Sequence, residues 1–588
     1  MKTKSMRKGG HLLKHGLLSA VCCMSLTVCA TSAWAQTVTV LYTTDIHGQV
    51  FDYDYVRQEE CNFGLHKAST YIKSVRDTTK NVILLDNGDF LQGTPVTYFY
   101  NSVDTGSINV MARIFNYLKY DAVNIGNHDI ETQHKVYDKV VKEIDCPVLG
   151  ANVTNTVTKE PYFQPYVMLE RAGKRIAVIG LTTPYVPHWL PEHYWSNMEF
   201  EDMIKSAEKW VRHVKKNEKP DAIIGLFHSG YDYNYGNQEE ETEKNENASV
   251  LVAQRVEGFD AILIGHDHKL YNNKVKSPDG RMVPILDVGS NCRYLGVLTI
   301  NFDKEGKPTC ETRMIATANL ANDSEYDQTF KPQSLAVKAY TRKVIGKLEK
   351  DVHSYESLAG SSAFVDMVHR TMLKHTGADI SMSAPLLIDA TLPAGDITVG
   401  RMFSLYRYEN TLCVLRLTGR EIKDYLEYNY DQWIQSPEKN DGHVLKTQRA
   451  GRMRSNYYGL DSAAGIIYEV DVTKAKGDRV HILSMADGTP FNQKKTYRVA
   501  LNSYRANGGG GHLEFGAKIP FNKIKSRIVS HVDKDLRGLI IEDFAEGLDK
   551  GESINAEPLN NWKFVPKALV APAMELDLPP FATVRQTR

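Results

Sequence analysis

The sequence predicts an α/β layered domain followed by a second domain of mixed α+β character. Three observations carry this. From Thr37 to about Ala321, short runs rich in Val, Ile and Leu, bounded by Gly, Asn or Asp, alternate with stretches of helical spacing. Five clusters of carboxylate, amide and imidazole groups each fall directly after one of those runs, where ligands collect in layered α/β folds. Beyond about His353 strands and helices follow no fixed order. The chain of 588 residues is long enough for two or more domains, and its Lys+Arg and Asp+Glu both number 71. Zero formal net charge removes any global argument for binding a nucleic acid polymer or an acidic surface, so phosphate affinity must be local.

In chain order, Lys2, Lys4, Arg7, Lys8 and Lys14 precede an apolar stretch from Leu17 to Val28 and then Ala33-Trp34-Ala35. This is the pattern of a secretory leader cut before Gln36. The apolar run is shorter than the ~20 residues a membrane span needs, so the expectation is an exported, periplasmic or cell-surface protein with no transmembrane segment in the mature chain. Residues 38–42, 82–86, 122–125, 148–150, 176–181, 222–227 and 261–264 read as buried strands. Residues 108–118, 134–144, 203–215 and 248–256 read as helices. The insert 231–246, tyrosine-rich and carrying Gln238-Glu239-Glu240-Glu241, reads as a solvated loop.

A helix from Pro332 to about Asp351, with Leu335, Val337, Val344 and Leu348 on its apolar side, reads as a connector, giving domain spans of 36–325 and 353–566 on either side of 326–352. In the second domain, 361–375 and 420–430 read as helices, 412–417, 466–472 and 497–501 as strands, and 392–395 as a turn. The Pro- and Ala-containing tail 567–588 reads as poorly ordered. Cys61, Cys146, Cys292, Cys310 and Cys413 remain after the leader, scattered, odd in number and without CxxC spacing, so at most two disulfides could form and cysteines do not define the fold.

The clusters are Asp45-Ile46-His47-Gly48, Gly88-Asp89-Phe90, Gly126-Asn127-His128-Asp129, His228-Ser229-Gly230 and Gly265-His266-Asp267-His268. Asp45, His47, Asp89, Asn127, His228, His266 and His268 offer imidazole, carboxylate and amide oxygen, a mixture that suits borderline divalent ions such as Zn, Mn, Fe or Co. Seven ligands exceed one tetrahedral site but match two ions sharing a carboxylate. Ions ~3.5–4 Å apart can hold a hydroxide between them and clamp both sides of an in-line displacement at phosphorus.

In this order and spacing the set resembles the calcineurin-like metallophosphoesterases, and the second domain resembles the C-terminal domain of the 5′-nucleotidase family. The resemblance implies a four-layer α/β sandwich and a dinuclear hydrolase of phosphoric esters. It implies that Asp45, His47 and His268 hold one ion, that Asn127, His228 and His266 hold the other, and that Asp89 bridges them. His128 would assist the leaving oxygen, with Glu131 or Asp129 setting its imidazole.

The segment from Asn502 through Tyr504, Arg505, Gly509 and Gly510 looks like the family's base-binding loop, in which Tyr504 and Tyr458 would sandwich a nucleobase. Gly510 stands where true 5′-nucleotidases carry an Asp, and the surroundings of Ser383-Ala384-Pro385 lack their Asn-Gly-Gly pattern. Asn502-x-Tyr504-Arg505-Ala506, Tyr458-x-x-Asp461 and Tyr406-Arg407-Tyr408-Glu409-Asn410-Thr411 look instead like the exported 2′,3′-cyclic-nucleotide 2′-phosphodiesterase/3′-nucleotidases. The expected partner is a small nucleotide; neither a nucleic acid polymer nor a protein partner is expected. A 5′-nucleotidase or UDP-sugar hydrolase is the alternative within enzymes. An inactive nucleotide-binding surface protein is the alternative outside them.

Overall fold

A computed structural model of the chain describes residues 36–448, 452–453 and 459–583. Two six-stranded sheets dominate the first half. One runs in the order Pro308–Ala316, Tyr294–Phe302, Gln36–Thr43, Val82–Asp86, Ala122–Asn124 and Val148–Leu149. The other runs Leu270–Lys276, Met282–Val288, Ala261–Ile264, Ala222–His228, Lys174–Thr182 and Tyr166–Arg171. Gln36–Thr43 through Val148–Leu149 pair in parallel, as do Lys174–Thr182, Ala222–His228, Ala261–Ile264 and Met282–Val288.

Strand side chains alternate between faces, and this divides the apolar residues between three layers of core. Val38, Val40 and Tyr42 meet Ile176, Val178, Ile224, Leu226 and Leu263 between the two sheets. Leu41, Leu84 and Val123 face outward and pack with Leu65, Ile72, Met111, Ile114, Tyr137 and Val140 of the helices Leu65–Thr78, Val110–Leu118 and His134–Glu143. On the other side Ala177, Ile179, Phe227 and Ile262 pack with Met203–Asn217 and Ser249–Arg255. The result is the four-layer α/β/β/α sandwich. All the parallel strands with chemistry at their ends point the same way, so their C-terminal loops share one rim.

The second half is mixed α+β. A five-stranded sheet runs Ser462–Ala464, Ile380–Ser383, Thr496–Asn502, Leu412–Thr418 and Ile528–Val532, and a three-stranded sheet runs Val480–Met485, Ile466–Asp471 and Trp562–Val565. The helices Ala363–Thr376 and Gly419–Trp433 bury their apolar faces against these sheets.

Two expectations need correction. The connector helix spans Ser324–Thr341, capped at its start by Asp323, whose side chain accepts from the Tyr326 amide, and it carries Pro332 in its interior rather than at its start. Its buried face is Tyr326, Phe330 and Val337, while Leu335 is exposed; Val344 and Leu348 lie on a separate strand paired with Gly395–Thr398. The tail is helical over Lys567–Asp577, because Val570, Ala573 and Met574 bury against the second-domain core. Among the described residues Cys61, Cys146, Cys292, Cys310 and Cys413 are all free, within the limit of at most two disulfides that the sequence set. Among the described residues no helix is long and apolar enough to cross a membrane.

Candidate metal centre and cavity

Asp45 and His47 follow the strand Gln36–Thr43, Asp89 follows Val82–Asp86, Asn127 follows Ala122–Asn124, His228 ends Ala222–His228, and His266 and His268 follow Ala261–Ile264. The turns that bring these side chains together are tight. Asp45, His47, Asp89, His266 and His268 all have left-handed backbones, with φ of 49°, 48°, 58°, 80° and 57°. Non-glycine residues rarely adopt this region, and such strain collects where the surrounding structure fixes a site.

Outer hydrogen bonds set the tautomers. His47 Nδ1 lies 2.7 Å from the Gln92 carbonyl, and His228 Nδ1 lies 2.7 Å from the Asn87 carbonyl. A carbonyl only accepts, so in both rings Nδ1–H donates and the Nε2 lone pair faces inward. His47 Nε2 is 3.0 Å from His268 Nε2, which is 3.2 Å from Asp45 Oδ1. His228 Nε2 is 3.1 Å from Asp89 Oδ2 and 3.2 Å from Asn127 Oδ1. His266 donates outward from Nε2 to Glu246 Oε1 at 3.2 Å and turns Nδ1 to Asn127 Oδ1 at 2.9 Å.

These atoms form two groups, Asp45–His47–Asp89–His268 and Asp89–His228–His266, each converging within 4.8 Å and sharing Asp89. Asp89 Oδ2 is buried and accepts no hydrogen bond. Acceptors this close need positive charge among them, as extra protons or as cations. The nitrogen and oxygen donor set, with carbonyls and Glu246 fixing the rings from behind, fits a pair of borderline divalent ions.

His128 stands beside the centre without joining either group. Its Nδ1 lies 2.5 Å from Glu131 Oε2, one helical turn on, and its backbone N–H donates to Asp89 Oδ1 at 2.8 Å. Burial acts to lower the His128 pKa, but the charges of Asp89 and Glu131 outweigh it and hold the imidazole up to about 9. Asp129 does not face His128. Its carboxylate accepts from the backbone N–H groups of Asp89, Phe90, Leu91 and Gly126 at 2.8–2.9 Å, and so braces the loop that carries Asp89. Burial, then the nearby charge of Asp89, push Asp129 up to about 7. Between the two candidates for setting the imidazole, the contact belongs to Glu131.

A cavity of about 340 Å³ opens from this centre toward the second half of the chain. Asn127, His128, Glu131, His266 and His268 form one end, and Asn502, Tyr504 and Arg505 line the other. Asn502 caps the short helix Ser503–Ala506 and donates from Nδ2 to Tyr406 Oη at 3.0 Å. Arg505 grips Asp461 with two bonds of 3.0 Å and the Gly509 carbonyl at 2.9 Å. Burial opposes a charged Asp461, but Arg505 overcomes this and holds it below the usual carboxylate range. Gly509 and Gly510 lie behind the cavity wall. A Cβ on Gly509 would fall 2.6 Å from the Tyr504 ring, so glycine there lets the ring lie against the backbone. Tyr458 lies outside the described residues.

Sequence reasoning missed several wall residues. Trp189, Tyr235 and Glu246 line the cavity, as does Asn410, which the sequence offered only within the family-like run 406–411 and with no role of its own. Tyr235 and Glu246 belong to the acidic insert, which therefore covers one side of the cavity rather than standing free in solvent. Its density of tyrosines was the available signal; Trp189 carried none.

Residues 38–270 match the family model for calcineurin-like phosphoesterases, and residues 344–517 match that for the 5′-nucleotidase C-terminal domain. A 2′,3′-cyclic-nucleotide 2′-phosphodiesterase/3′-nucleotidase of Haemophilus influenzae is 27% identical, over 90% of this chain and 87% of its own. The trifunctional nucleotide phosphoesterase protein YfkN of Bacillus subtilis is also 27% identical over 90% of this chain, which spans only 39% of that longer protein. The structure of a 5′-nucleotidase precursor from Thermus thermophilus superposes with a TM-score of 0.62 at 23% identity, covering 90% of this chain and 99% of that one.

Proposed function

We infer that this chain, which belongs to the calcineurin-like metallophosphoesterases carrying a 5′-nucleotidase C-terminal domain, hydrolyses 2′,3′-cyclic nucleotides and 3′-nucleotides after export behind its leader 1–35. One observation carries the reading. The inward lone pairs of His47, His228 and His266 meet Asp45, Asp89 and Asn127 at one end of a nucleotide-sized cavity, and Tyr504 stands at the other. The kinship with named 2′,3′-cyclic-nucleotide 2′-phosphodiesterase/3′-nucleotidases supports the substrate.

Asp45, His47, His268 and Asp89 would hold one divalent ion, and Asp89, Asn127, His228 and His266 a second. Such a pair supplies positive charge against phosphoryl oxygens and a water that ionises near neutral pH. The chain's own groups do the rest. Tyr504 stacks on the base, a contact worth ~1–3 kcal/mol whatever the base's hydrogen-bonding edge. Asn502 and Arg505 hold the Tyr504 loop rigid. His128, with Nδ1 tied to Glu131, presents Nε2–H to the departing ribose oxygen and protonates it as the ester bond breaks.

A hydrolysis panel of 2′,3′-cyclic AMP, 3′-AMP, 5′-AMP and UDP-glucose with added Mn or Zn tests the reading. The expected order places the first two ahead. Preference for 5′-AMP would replace the substrate while keeping the site. A purified protein with neither hydrolysis nor two metal equivalents would make it a binding protein.

A further inference from the structure

Asn410 lies in the second half of the chain, yet it touches the group that sets His128. Its Nδ2 donates to Glu131 Oε1 at 3.2 Å, and both residues are buried. Glu131 thus has its two oxygens divided, Oε2 to His128 Nδ1 and Oε1 to Asn410. Behind Asn410 the bonds continue: the Tyr406 hydroxyl donates to Asn410 Oδ1 at 3.3 Å, and Asn502 Nδ2 donates to Tyr406 Oη at 3.0 Å. Asn502 Oδ1 in turn accepts from the Arg505 amide at 2.8 Å, at the start of the helix that carries Tyr504. A continuous chain of hydrogen bonds therefore runs from the cavity's Tyr504 wall to the imidazole beside the candidate metal centre.

We propose that Asn410 is a positioning residue for leaving-group protonation, fixing Glu131 and through it His128, so that the proton donor is complete only when the two domains are docked. The carboxylate of Glu131 could swing about its side-chain torsions if only one oxygen were held. Asn410 removes that freedom and keeps Oε2 aimed at Nδ1, so Nε2–H points into the cavity. In the reaction the phosphorus–oxygen bond to the ribose breaks, the departing oxygen takes the His128 proton, and water supplies the oxygen that replaces it on phosphorus. Every additional degree of play in the donor costs rate at the one step that needs a proton.

The inference rests on the reading of His128 as leaving-group acid, and the test separates the two. Hydrolysis of a 3′-nucleotide, whose alkoxide needs a proton, is compared with that of p-nitrophenyl phosphate, whose phenolate departs without one. Each variant is measured as the ratio of its kcat losses on the two substrates, with metal content and thermal midpoint recorded on the same samples. For His128→Ala the ratio is expected to be large. For Asn410→Ala, and for the isosteric Asn410→Leu, the 3′-nucleotide kcat should fall about 10-fold or more, with a clearly smaller loss on p-nitrophenyl phosphate. Tyr406→Phe should show the same bias in weaker form. If His128→Ala loses both activities equally, the acid assignment itself is wrong. If His128→Ala is selective but the Asn410 variants lose both equally, or neither, Asn410 only packs the interface and the proposal is overturned.

Discussion

At the scale of single residues, the Gly126-Asn127-His128-Asp129 stretch divides into four jobs. Asn127 turns its oxygen to the histidines, His128 faces the cavity, and Asp129 ties down the neighbouring loop through three backbone N–H groups and its own turn through that of Gly126. Gly126 is required for a reason of space rather than torsion. Its φ of −104° is open to any residue, but a Cβ there would fall 2.2 Å from Asp89 Oδ1 and 2.5 Å from the Asp89 amide nitrogen. Both atoms are backbone or a short, buried side chain, so neither can yield cheaply. Gly126→Ala is therefore expected to displace the carboxylate that the two ligand groups share, lowering bound metal below two equivalents per chain. A shift of about 1 Å at such a point costs on the order of 100-fold in kcat/KM. Elemental analysis with kinetics on one preparation checks this; two equivalents with full activity would show that the loop relaxes around the extra methyl.

At the scale of elements, the parallel strands that carry the ligand loops were legible as short runs rich in Val, Ile and Leu, and residues 261–264 coincide with the strand Ala261–Ile264, whereas Tyr166–Arg171, Leu270–Lys276, Met282–Val288, Tyr294–Phe302 and Pro308–Ala316 were not read. The metal-ligand candidates were legible for the same reason, since a polar cluster after such a run has one rim on which to lie. What failed depended on distant partners. Pro332 reads as a helix start because proline suits a first turn, whereas the cap is Asp323 and the proline sits mid-helix. Lys567–Asp577 reads as tail because its docking site lies far away in sequence, where Asp577 accepts from the amides of Val444 and Leu445. Trp189 had no local signal, and Asn410 stood out only as part of the family-like run 406–411, since what each does lies in a cavity made only on folding. The Tyr504 loop shows a related dependence. The helix Ser503–Ala506 is one turn long and is held by the buried Arg505–Asp461 pair. Because Asp461 is held below the carboxylate range, its contribution is complete above its unfolded pKa of about 3.9 and is lost as pH falls through its lower folded value. Asp461→Asn leaves the guanidinium buried without its counter-charge, at a cost of about 3–5 kcal/mol. The thermal midpoint at neutral pH should drop, KM for nucleotides should rise, and the extra acid sensitivity below pH ~4 should disappear. An unchanged midpoint would mean the pair contributes no net stability.

At the scale of the whole molecule, the cavity exists only because the two halves are held in register, and the contacts that hold them surround it. His188 stacks on Phe521 at 4.4 Å, and the hydroxyls of Tyr194 and Thr411 lie 3.0 Å apart. Tyr98 reaches across from the first half: its hydroxyl donates to Asp535 at 3.2 Å, and its ring centroid lies 4.4 Å from the Arg537 guanidinium. Phe403 covers the guanidinium at 3.8 Å, while Arg537 bonds the carbonyls of Tyr406 and Arg407 and the carboxylate of Glu409. Arg537 therefore grips the segment that presents Asn410, and Tyr98 is how the first domain reads that grip. Removing the ring from this buried position costs about 3–5 kcal/mol of packing, with up to about 2 kcal/mol more from the desolvated cation–π contact. All of that loss falls on the interface, because Arg537 keeps its bonds within its own domain. Wild-type protein is accordingly expected to unfold in one calorimetric transition and Tyr98→Ala in two, with metal content unchanged because no ligand-bearing loop is touched. A peak that moves down without splitting would mean that Tyr98 stabilises its own domain only. The coupling would then have to be carried by the other contacts between the halves, among them the His188–Phe521 stack, the Tyr194–Thr411 hydroxyl pair and the Glu131–Asn410 bond.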